Sequence, residues 1–127
     1  MNFKQEMPNP NNTTTTMMYL KDSDPKEKDI QEILNILQEE CAEVIQAVSK
    51  IRRFGINSKG PNGDYKYNNL EQLEVELGDL MQMVHLLYEK GYIEEENVMS
   101  HAEAKREKLK RWSIIDIPES VPKKIFE

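Results

Sequence analysis

Apolar residues recur at helical spacing in three stretches of the chain, the pattern of a helix that buries one face. The first stretch joins Ile30, Ile33, Leu34, Leu37, Cys41, Val44, Ile45 and Val48. Ser23-Asp24-Pro25 stands before it. Asp24 is placed to cap, Pro25 suits the first helical position, and Glu27 lies at capping-box spacing from Asp24. Lys50, Arg52 and Arg53 occupy the last turns, and Gly55 follows Phe54, so the helix is expected to end there. The second stretch joins Leu70, Leu73, Leu77, Leu80, Met81, Val84, Leu87 and Tyr88, and predicts a helix from about Leu70 to Lys90 that Gly91 stops. A third helix, from about Glu94 to Arg111, has a thinner face of Val98, Met99, Ala102, Leu109 and Trp112. No alternating pattern is strong enough for a sheet.

The expected fold is therefore all-α: an antiparallel helical hairpin plus a third helix. Two long stripes exceed what one short third helix can cover, so a four-helix-bundle-like core is expected to be completed by oligomerisation, as a homodimer or homotetramer. Residues 1–22 have no period and carry Pro8, Pro10, asparagines and four consecutive threonines, which reads as a flexible N-terminal arm. Residues 23–112 form the helical domain. Residues 113–127, with Pro118 and Pro122, read as an extended C-terminal tail. Gly55 to Asn69 is rich in glycine and asparagine and must be a loop. It is long for a helix–helix connection, which usually marks a functional segment.

Charge narrows the partners. A formal net charge of −6 argues against nucleic-acid binding and against attraction to an anionic membrane. An acidic protein that handles an anionic substrate needs a bridging cation. The single cysteine, Cys41, rules out an intramolecular disulfide. It sits in the first apolar stripe and reads as a small buried hydrophobe. No apolar run reaches membrane-spanning length, and the start of the chain lacks the apolar core of a secretion signal, so a cytoplasmic protein is expected.

The candidate chemistry lies in carboxylates set into the two long helices. Glu39, Glu40 and Glu43 interrupt the first stripe; Glu76 and Asp79 interrupt the second. With each stripe at zero, Glu40 and Glu43 fall roughly 80° and 140° to one side, and Glu76 and Asp79 fall at about the same offsets. Antiparallel packing brings both pairs to one edge of the interface; parallel packing would separate them. Ile36, Ala47 and Met83 neighbour these positions, so the niche is partly apolar. Four carboxylates there repel each other and lose hydration unless a cation neutralises them. An all-oxygen set without His or Cys suits magnesium, with manganese as a substitute. The plain alternative is a solvated glutamate-rich face, which gives such spacings by chance.

Glu39-Glu40-x-x-Glu43 followed by Glu76-x-x-Asp79, each inside an apolar helix, resembles the MazG-like all-α nucleoside triphosphate pyrophosphohydrolases. Leu77-Gly78-Asp79-Leu80 is similar to that family's second motif, and the resemblance spans about Ile30 to Trp112. The long gap between Glu43 and Glu76 departs from it and implies an enlarged loop. The resemblance implies Glu40, Glu43, Glu76 and Asp79 as magnesium ligands, and Glu39 and Glu40 in catalysis, Glu39 as a further ligand or a water-orienting base. It implies cleavage of a nucleoside or deoxynucleoside triphosphate to the monophosphate and pyrophosphate, and assembly of helical units.

Basic residues offer phosphate contacts. Lys105 and Lys108 share a face of the third helix, against the plain reading of a solvated helix end. Lys59, Tyr65, Lys66 and Tyr67 lie in the long loop, where they can close over a nucleotide. Asn69 and Gln72 neighbour the second acidic pair. The rival class is a non-catalytic acidic helical adaptor, which needs only the apolar stripe.

Overall fold

The computed structural model describes residues 25–119. The N-terminal arm 1–22, the cap at Asp24 and the last residues of the tail lie outside them. Three helices follow in order: α1 (Pro25–Phe54), α2 (Asn69–Glu89) and α3 (Glu95–Trp112). Among the described residues there is no strand, as the periodicity predicts. No described helix is long and apolar enough to cross a membrane.

The helix ends follow local chemistry. Gly55 takes φ +88° and donates its N–H to the Ile51 carbonyl at 2.8 Å, closing α1. α2 begins with a complete capping box that the sequence reading did not single out. Glu71 N donates to Asn68 Oδ1 at 2.8 Å, and Asn68 N donates to Glu71 Oε2 at 2.7 Å. It ends on Gly91 at φ +73°, where Tyr92 N donates to Leu87 O and Gly91 N to Tyr88 O. That pair of bonds is a Schellman motif.

α1 and α2 form an antiparallel hairpin. At one end Lys90 Nζ reaches Asp29 Oδ1 at 2.9 Å, and the Tyr92 hydroxyl donates to Asp29 Oδ2 and to the Lys26 carbonyl, each at 2.9 Å. At the other end the Asn69 amide donates to the Gly55 carbonyl at 2.9 Å and the Lys50 carbonyl at 3.4 Å. Ile33, Met83 and Leu87 form the buried core near the first end, with Ile30, Ile36, Leu37, Leu86, Tyr92 and Ile93 packed against them.

The packed face is rotated from the predicted stripe toward the acidic side. Ile33 and Ala47 are buried and Ile36, Leu37, Glu40 and Val44 half-buried, whereas Leu34, Cys41, Ile45 and Val48 are exposed, Ile45 at 69%. Cys41 is thus not a buried hydrophobe. On α2, Glu76, Met83 and Leu87 are buried, and Leu70 and Leu77 are exposed. The apolar band of α1 is wider than one antiparallel neighbour covers, and α2 takes the flank that includes the small Ala47. α3 buries no residue and hardly touches the hairpin; its Trp112 is 84% exposed. Trp112, whose apolar character suits a core or an interface, takes no core place within one chain.

Candidate metal centre and adjoining cleft

Glu40, half-buried, and Glu43, exposed, lie on the flank of α1 next to α2, and buried Glu76 faces them from α2. One oxygen of each lies within 4.8 Å of the others. Glu76 is only 8% exposed, which puts a carboxylate inside the helix interface rather than at its edge. Gln72, one turn earlier, donates to Glu76 Oε1 at 2.6 Å and holds that oxygen. Glu40 Oε2 is buried without a hydrogen-bond partner among the described residues. An orphaned acceptor of this kind costs free energy unless something positive meets it.

The titration of the cluster reflects that deficit. Glu43 is raised above the usual carboxylate range, first by a hydrogen bond to Glu76, then by repulsion from Glu76, by desolvation, and by repulsion from Glu40 and Asp79. Glu40 is raised by desolvation first, then by Asp79, Glu76 and Glu39. Three converging carboxylates, one of them with a buried and unpartnered oxygen, fit a hard cation better than a solvated face does.

The other predicted site residues are spread more widely. Asp79 is exposed and outside the close trio, yet near enough to raise both glutamates. Glu39 is exposed beside Glu40. A cleft of about 390 Å³ opens from the cluster toward the loop end of the hairpin. α1 lines it with Glu43, Gln46, Ala47 and Lys50; α2 with Asn69, Gln72 and Glu76; the loop with Tyr65, Lys66 and Tyr67. Of the residues expected to meet substrate, Asn69 lines this cleft, its amide engaged by the end of α1, as do Gln72 and the loop residues Tyr65, Lys66 and Tyr67. Lys59, Lys105 and Lys108 are exposed and do not line it.

Gln46 and Lys50 were not singled out for the site from sequence. The signal was present: they follow Glu43 by three and seven residues, one and two turns along the same helix flank. Lys50 reads equally well as a cation at a helix C-terminus, which hides it.

The model of the MazG nucleotide pyrophosphohydrolase domain matches residues 28–113. The chain belongs to this family. The match spans all but the first turn of α1, all of α2 and α3, and both halves of the acidic cluster. Neither a curated protein nor a solved structure was found to match the chain. In this MazG-family chain the carboxylate trio lies at the hairpin interface that the family match spans.

Proposed function

We propose that this chain is a magnesium-dependent pyrophosphohydrolase that converts a nucleoside or deoxynucleoside triphosphate to its monophosphate and pyrophosphate. The observation that carries the reading is the convergence of Glu40, Glu43 and Glu76 with a buried, unpartnered oxygen on Glu40. Glu40, Glu43 and Glu76 would hold the ion, magnesium or in its place manganese, with Asp79 at the margin. A divalent ion there supplies positive charge to the phosphates and acidifies water. Gln72 keeps Glu76 oriented. Glu39, solvated and next to Glu40, is the carboxylate assigned to take a proton from the attacking water. In-line attack on phosphorus asks for positioning and charge compensation, and no covalent enzyme intermediate.

The same proposal includes a homodimer or homotetramer in the cytoplasm. Leu34, Ile45 and Val48 on α1, Leu77 on α2 and Trp112 at the end of α3 leave apolar surface that a second copy would cover. Lys105 and Lys108 on the loosely attached α3 would then meet phosphates from another subunit.

Pyrophosphate release from a panel of nucleoside and deoxynucleoside triphosphates, with and without magnesium, tests the activity. Metal-dependent release that Glu43→Gln abolishes is the expected result. No release from folded wild-type protein with any nucleotide would overturn it.

A further inference from the structure

The cleft beside the carboxylates needs an occupant, and its lining differs in character from the trio. The loop Gly55–Asn68 is held by its own bonds: Tyr65 N donates to the Lys59 carbonyl at 3.0 Å, and Asn69 N to the Ser58 carbonyl at 3.0 Å. Gly60 sits at φ +87°, and a Cβ built there would lie 2.5–2.7 Å from the Tyr65 ring. The ring therefore rests on bare backbone. Tyr65 is nevertheless 59% exposed and lines the cleft. Tyr67 is differently committed, because the Lys66 ammonium lies 5.0 Å from its ring centroid.

We infer that Tyr65 is the surface on which the substrate's nucleobase stacks, with Gly60 fixing its ring, so that this cleft takes the nucleoside half of the nucleotide. The inference rests on the function proposed above. Phosphates go to the cation at Glu40, Glu43 and Glu76. The base, joined to them through the sugar, falls further toward the loop end, in the cleft that the tyrosines and Gln46 line. A stack on an aromatic ring accepts any base. Gln72 is tied to Glu76 and the Asn69 amide nitrogen to the end of α1, which leaves Gln46 as the uncommitted amide donor in the cleft for reading a base edge.

The test compares KM for a nucleoside triphosphate with the inhibition constant of inorganic tripolyphosphate, which has no base. Tyr65→Ala should raise KM about tenfold, leave kcat unchanged and leave tripolyphosphate inhibition unchanged. Tyr65→Phe should behave as wild type. Gly60→Ala, whose methyl displaces the ring and whose φ of +87° strains an L side chain, should raise KM as Tyr65→Ala does, leave tripolyphosphate inhibition unchanged and lower the melting temperature. An active wild type whose KM is the same in Tyr65→Ala overturns this inference alone. So does a variant that loses nucleotide and tripolyphosphate affinity equally, because the cleft would then hold phosphates. A wild type inactive on every nucleotide overturns the function and this inference with it.

Discussion

The two ends of the hairpin use carboxylates in opposite ways. At the end where α1 begins, Asp29 faces the Lys90 ammonium and the Tyr92 hydroxyl, and its pKa is lowered by those two hydrogen bonds. Toward the loop end both glutamates are raised, Glu40 first by desolvation and Glu43 first by its hydrogen bond to Glu76, each with repulsion from neighbouring carboxylates added. Ile33, Met83 and Leu87 pack beside the first group; an open cleft adjoins the second. One end contributes stability. The other holds a charge imbalance that only a proton or a cation relieves, and such imbalance is typical of sites that do chemistry.

Substitutions should separate the two ends. The largest effect is expected from Glu76→Gln, which removes the buried member of the trio: pyrophosphate release should fall on the order of 100-fold or more. Urea unfolding of the metal-free variant should show stability equal to or above wild type, since a repelling charge is gone. Loss of both activity and stability would mean that Glu76 is a structural group.

Leu87→Ala should do the reverse. Truncating this core side chain should cost about 2–5 kcal/mol in denaturant unfolding, with kcat of the folded fraction unchanged. A selective loss of kcat would break the division between the ends.

The pH dependence should also divide. Glu40 and Glu43 have native pKa values above the ordinary glutamate value of 4.5, so protons favour the folded state. Their contribution is full below the unfolded value and is lost as pH rises through the raised native values. Asp29 has the opposite sign: its contribution is present above the unfolded value of 3.8 and is lost as pH falls through the lowered native one. Metal-free melting temperatures should therefore decline as pH rises above 4.5, less steeply in Glu43→Gln. Magnesium should cancel the decline by displacing the protons. A melting curve indifferent to magnesium across that range would remove the cation from the account.

The smallest effect belongs to Gly91→Ala. Its added Cβ meets nothing within 4 Å, so only the φ of +73° resists the change. A loss of about 1–2 kcal/mol without change in activity is expected.

Much of this was legible in the chain. Helical spacing located all three helices within a residue or two, because periodicity, glycine stops and terminal charges act locally. The offsets of Glu40, Glu43 and Glu76 from the stripes were enough to bring them together once the hairpin was antiparallel. The capping box at Asn68 and Glu71 was written in the sequence and passed over inside an asparagine-rich loop. Cys41 was misjudged because apolar character says that a residue can be buried, not by which neighbour.

The sequence by itself determined the helices, their ends, the acidic residues and the family to which their order belongs. Only the tertiary structure decided which flank of the broad apolar band on α1 meets α2, that Glu76 lies within that interface, and that Tyr65 settles on Gly60 beside the cleft. The physical reason is range. Helix formation and capping depend on residues a turn apart, whereas the chosen face and the folded loop depend on contacts between distant positions, which no local pattern encodes.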